Sequence, residues 1–320
     1  MVGSDSLPSR PGMVVAATDL SETANAGVRW AVHVARDKRL ELHLIHALNL
    51  AGWATDYGEL EAKVPVQLED AARQHLDRMA RETQRLGVAT TWQVRIGQPS
   101  EIIVEEARRL EAELVTIGSS GHRPIEPPRL GSTAERVVQR ATCPVLTVHP
   151  GDRPPDRQIR KLLVATDFSA QSEWALAASI ELLNGADSNP PEVVLLHVYH
   201  VPYEFSMDSI YGPAAPDASV WAAVAREVSD RLERHAQSIA TRLGVTVEPL
   251  SQGGYPPQVI VQQAALAGVD WIALGTHGRT GLAHVLLGST AERVIQQAHC
   301  PVLTVRHSID EPAPVDIERR

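Results

Sequence analysis

Gly118-Ser119-Ser120-Gly121, nine residues and then Gly131-Ser132 recur as Gly275-Thr276-His277-Gly278, nine residues and then Gly288-Ser289. Glycine lacks a Cβ, takes positive φ and lets an anion approach bare backbone N–H groups. A Gly-Ser step that opens a helix adds the unpaired N–H groups of the first turn and a hydroxyl donor. The chemistry this suggests is phosphate binding, once in each copy. A plainer reading uses the same residues, with glycines shaping turns and serine capping a helix. Both readings stand on the sequence alone.

An aspartate stands near each cluster. Asp19 lies in Ala17-Thr18-Asp19-Leu20-Ser21 and Asp167 in Ala165-Thr166-Asp167-Phe168-Ser169, each just past an apolar run. Such a carboxylate can accept hydrogen bonds from ribose hydroxyls or an adenine amine, and it can equally cap the next helix.

To bring these residues together the chain must align several strand ends. Apolar β-type runs at 13–18, 40–47, 90–96, 114–117 and 145–148 alternate with helical patterns at 22–37, 66–86, 100–110 and 133–141. The second copy places strands at 161–166, 192–198, 245–250, 271–274 and 302–305. Such alternation implies right-handed βαβ units and a five-stranded parallel sheet in each copy, covered by helices on both faces. In such sheets ligands bind beyond the carboxyl ends of the strands, where strand order reverses.

The duplication can be followed residue by residue. Asp19 matches Asp167, His46 matches His197, and Cys143 matches Cys300. GSTAERV occurs at 131–137 and 288–294, and CPVLTV at 143–148 and 300–305. Insertions in the second copy fall near 184–191 and 199–218, both of loop composition. The predicted organisation is a first domain over 1–150, a Pro/Gly-rich linker over 151–157 and a second domain over 158–307. Residues 1–10 read as a disordered leader and 308–320 as a disordered tail.

The chain has 320 residues and a net charge of −9, with 43% hydrophobic and 22% charged residues. That balance suits a two-domain globular protein and argues against sequence-independent nucleic-acid binding, which needs a basic face. No apolar run approaches the roughly eighteen residues of a membrane span. The N-terminus lacks the apolar core of a signal peptide. Two cysteines make no disulfide framework, so the expected compartment is the cytoplasm.

A strand ending Thr-Asp-x-Ser, the Gly-x2-Gly-x9-Gly-Ser run and the closing Cys-Pro-Val-Leu-x-Val strand together resemble the universal stress protein family. The match spans both repeats, as in a tandem member of the ATP-binding branch. The resemblance implies an α/β fold of two Rossmann-like (adenine nucleotide alpha hydrolase-like) domains. Each would have strand order 3-2-1-4-5, with ATP, accompanied by Mg²⁺, between the first and fourth strands. It also implies domain pairing through the last strands, with a homodimer as a further option. Carried over by position, Asp167 would lie near adenine and ribose, and Val198 would offer backbone groups to the base. Gly275, Gly278 and Arg279 would lie along ribose and phosphate, with Gly288, Ser289 and Thr290 on the outer phosphates. The first-copy counterparts are Asp19, Ala47, Gly118, Gly121, Gly131, Ser132 and Thr133.

The copies differ in the nine-residue loop. Pro124, Pro127 and Pro128 remove three donors from the first and exclude the helical turn the second can form. The second site is therefore expected to bind ATP more tightly. No Gly-Lys pair of a P-loop occurs, nor a Gly-x-Ser-x-Gly elbow, nor Cys/His spacing for a metal. No residue stands out as a base for activating water, so the expected role is that of an ATP-binding regulatory or protective protein of the stress response, with slow ATP hydrolysis at most. The alternative is an interaction module that needs no nucleotide. Neither the stress nor a protein partner is legible.

Overall fold

The computed structural model describes residues 12–50, 63–121, 130–183, 190–199, 218–276 and 287–306. In the first half β1 (Met13–Ala17) leads through α1 (Glu22–Lys38) to β2 (Glu41–Leu48). There follow α2 (Lys63–Arg85), β3 (Thr90–Ile96), α3 (Pro99–Arg109), β4 (Leu114–Gly118), α4 (Ser132–Arg140) and β5 (Val145–Val148). The second half opens with β6 (Lys161–Ala165), α5 (Ala170–Leu183), β7 (Glu192–Tyr199) and α6 (Ala218–Leu243). It closes with β8 (Thr246–Gly253), α7 (Pro256–Ala267), β9 (Trp271–Gly275), α8 (Ser289–Gln297) and β10 (Val302–Val305).

These strands form one ten-stranded sheet in the order β3-β2-β1-β4-β5-β10-β9-β6-β7-β8. All pairs within each half are parallel, which gives the expected 3-2-1-4-5 order twice. The halves meet where β5 and β10 pair antiparallel, with Leu146 opposite Leu303. The pairing through the last strands implied by the resemblance is thus present, and it joins the two five-stranded sheets into one, covering edges that would otherwise be open.

Helices cover both faces. Buried side chains of α1, α2, α5 and α6 pack on one face, and those of α3, α4, α7 and α8 on the other. Neither core stops at the junction between halves. Trp30 of α1 lies against Trp271 of β9, with ring centroids 6.5 Å apart. Burying each ring contributes roughly 4 kcal/mol or more from area. A ladder hydrogen bond contributes only about 1 kcal/mol net. The four-residue strands at the junction are therefore held more by this apolar packing than by their own pairing.

The apolar pattern predicts β8 over 245–250, but its pairing with β7 runs on to Gly253 opposite Tyr199. Main-chain bonding extends the strand through Ser251 and Gln252, which carry no hydrophobic signal. Pro249 is tolerated because β8 is an edge strand. Between the halves, Arg157 donates to both carboxylate oxygens of Asp270, at 2.9 and 3.0 Å. The same carboxylate accepts the N–H groups of Arg160 and Lys161, fixing the entry into β6.

Candidate functional site

The turns after β1 and β6 are built alike. Leu20 (φ 66°) and Phe168 (φ 62°) both take the left-handed conformation, uncommon without glycine. Each N–H donates to a threonine hydroxyl two residues back, Thr18 or Thr166, at 3.0 Å. Asp19 Oδ1 accepts the N–H of Ser21, and Asp167 Oδ1 that of Ser169, both at 3.0 Å. The helix caps are the serines: Ser21 Oγ accepts from Ala24 N–H and Ser169 Oγ from Ser172 N–H. The aspartates therefore brace the turn and do not cap the helix directly.

A histidine locks each turn to the second strand. His46 Nδ1 donates to the carbonyl of Thr18 at 2.8 Å and His197 Nδ1 to that of Thr166 at 2.7 Å. These bonds fix the Nδ1–H tautomer. His43 points to the opposite face, where Nε2 lies 3.1 Å from buried Glu106 of α3.

At the other side of the crevice the glycines divide into roles. Gly131 N–H donates to Ser119 O and Gly288 N–H to Thr276 O, both at 2.8 Å. Gly131 and Gly288 are themselves the N-caps of α4 and α8, and no side chain caps either helix. Ser132 and Ser289 are already inside the helix, which corrects the reading of serine as cap. The first-turn N–H groups consequently have no side-chain cap, and at α8 they lie beside a cleft, an arrangement chemically suited to an anion. Gly275 has a packing reason of its own, since a Cβ there would meet Gln171 Cβ at 2.7 Å. A Cβ on Gly121 would come within 3.1 Å of Asp19 Oδ2, so these two face each other.

In the second half the described candidates converge. Asp167, Val198, Gly275, Gly288, Ser289 and Thr290 line one cleft of ≈ 320 Å³. Its apolar side is made by Val198, Ile260 and Leu274, suited to a flat ring, and its polar end by the start of α8. In the first half Ala47 lies at the end of β2 and Gly118 at the end of β4, while Ser132 and Thr133 open α4. Gly278, Arg279 and the three prolines at 124, 127 and 128 lie outside the described residues.

The sequence reading missed a support behind Asp167. The Phe168 ring packs 4.6 Å from the His197 ring and 5.8 Å from that of His235, with the Arg231 guanidinium 4.2 Å over it. His235 in turn meets Glu173 Oε1 at 2.6 Å, joining α6 to α5. An aromatic right after the repeated Thr-Asp was the available signal, but its partners come from elements distant in sequence. Among the described residues no group of three His, Cys, Asp or Glu side chains could hold a metal ion. No helix among them is long and apolar enough to cross a membrane.

Comparison with known proteins follows the same division into halves. The profile of the universal stress protein family matches residues 13–149 and again 158–306. Two universal stress proteins of Mycobacterium tuberculosis are each 28% identical to this chain. One match covers 95% of this chain and 100% of the relative; the other covers 92% and 97%. A crystal structure of a universal stress protein from Archaeoglobus fulgidus superposes with a TM-score of 0.67 at 20% identity, covering 93% of this chain and 97% of its own.

Proposed function

Because the chain belongs to the universal stress protein family, we propose that its second half binds ATP at the carboxyl edge of the sheet, between β6 and β9. The observation that carries this is the single cleft lined by Asp167, Val198 and the start of α8. Adenine would lie against the apolar side, with backbone groups at Val198 beside its edge. Asp167 would accept from a ribose hydroxyl. Phosphates would meet the uncapped N–H groups of α8 and the hydroxyls of Ser289 and Thr290, where the helix dipole favours negative charge. Mg²⁺ would travel with the phosphates. The role is that of a nucleotide-responsive binding module, with no base assigned to activate water.

The first half is the weaker site in this reading. Asp19 Oδ1 accepts both the N–H and the hydroxyl of Ser21, and its Oδ2 faces Gly121. The prolines of the adjoining loop withdraw three further donors. A second reading, an interaction module without nucleotide, draws support from Gly275, whose packing against Gln171 accounts for that glycine without any ligand. Mass spectrometry of ligand released from the purified protein separates the two. An adenine nucleotide, together with a rise in unfolding temperature on adding ATP, is expected. Absence of both would sink the first reading.

A further inference from the structure

The duplication contains a second asymmetry, away from the crevice. In the second half Glu173 of α5 and His235 of α6 clasp the two helices together at 2.6 Å. Matching the buried residues Leu76 with Leu232 and Ala80 with Ala236 places Met79 where His235 stands. The repeat likewise places Asn25 where Glu173 stands. Asn25 and Met79 cannot form that clasp. Both instead line a cleft of ≈ 760 Å³ between α1, α2 and the linker residues Pro154, Pro155 and Asp156.

The walls of this cleft have a definite chemistry. Val28, Val32 and Met79 give it an apolar floor, with exposed Leu86 at its rim. Arg29, Arg36 and Arg78 stand around it against Glu82 and Asp156, with His33 and His75 between. Arg36 is engaged with Asp37. Arg29 and Arg78 form no ion pair with any described residue, and both are exposed. His33 is nearly buried, and its Nε2, 3.3 Å from Asp37 Oδ2, makes no hydrogen bond. The second half keeps Arg234 opposite Arg78 but has Ala177 in place of Arg29 and Glu181 in place of His33. An apolar floor with two uncommitted guanidinium groups suits a ligand with an apolar body and one anionic head, and the volume is that of a small-molecule site.

We propose that the α1–α2 cleft is a second small-molecule site, taking an aliphatic carboxylate whose head is held by Arg29 and Arg78 and whose chain lies on Val28, Val32 and Met79. Independence from the nucleotide cleft follows from position, since this cleft shares no lining residue with it.

Isothermal titration of the full chain with decanoate tests the proposal. Saturable binding of one decanoate per chain is expected, unchanged by saturating ATP. Arg29→Glu/Arg78→Glu is expected to weaken it about tenfold or more, since a charged hydrogen bond of this kind is lost at each position. Both side chains are exposed, so the variant should keep the parent's unfolding temperature. Asn25→Glu/Met79→His, which builds the second half's clasp into the first, is expected to close the cleft and lower the affinity as well. Decyltrimethylammonium, of equal chain length and opposite charge, should not bind. Lack of saturable binding, equal binding of the cation, displacement by ATP, or affinity undiminished in the arginine double variant would each overturn the proposal.

Discussion

Cys143 and Cys300 stand at the foot of the last strand of each half, and burial governs both. It pushes the Cys143 thiol up to about 11 and, helped by the charges of Asp152 and Asp270, the Cys300 thiol up to about 12. Since the thiolate is the reactive form, neither should be alkylated by iodoacetamide in the folded protein at pH 8. Prompt labelling of either would contradict the packing described. Their matched places were legible from the repeated CPVLTV segments. The network around Glu106 was not, because His43 and Arg95 reach it from β2 and β3, and only Arg109 shares its helix. Burial opposes the charge on Glu106, yet the Arg109 hydrogen bond and the charges of His43, Arg109 and Arg95 hold its carboxyl below the usual range. Burial likewise lowers His43 and His33, outweighing their acidic neighbours. All three groups bind protons more weakly when folded, so each contributes stability at high pH that is lost on acidification. Stability measured by urea denaturation should fall as pH drops below about 6.5 and again through the carboxylate range. His43→Asn should flatten part of the upper limb.

The turn after β6 shows how elements position a residue. Phe168 holds a left-handed backbone next to Asp167, and the packing of His197, His235 and Arg231 keeps it there. A strained residue persists only where its surroundings over-determine it. His235→Ala leaves Glu173 buried without its partner and should destabilise the protein by about 3–5 kcal/mol. The double variant Glu173→Leu/His235→Leu removes both polar groups and should lie much closer to the parent. Chemical denaturation of the two checks this, and equal losses would show that the pair does not act as a unit. The strands and helices themselves were legible because apolar periodicity is local. β8 was under-read at its end, since the main-chain pairing to β7 leaves no mark in side-chain pattern. The serine caps were assigned one residue late at α4 and α8, where glycine supplies the cap and leaves the first N–H groups open.

At the scale of the whole molecule, the two halves share one sheet and a core that crosses β5 and β10. Trp30→Ala opens a cavity against Trp271 and should cost about 3–5 kcal/mol, lowering a single unfolding transition for both halves. Two separated transitions in the calorimeter would mean the halves fold independently. The duplication and the strand order within each half were legible from repeated motifs and family resemblance. The fusion into one core was only implied, since Trp30 and Trp271 have no counterpart in each other's repeat. Asp167, Val198, Gly275, Gly288, Ser289 and Thr290 were legible as one group, and they line one cleft. If the second half is the stronger nucleotide site, an ATP titration by calorimetry of the parent, Gly288→Asp and Gly131→Asp will show it. Aspartate is a favourable N-cap, so both helices remain capped while a negative charge occupies the phosphate end. Gly288→Asp should remove most of the ATP binding and Gly131→Asp little of it; a larger loss from Gly131→Asp, or no loss from either, would contradict the account.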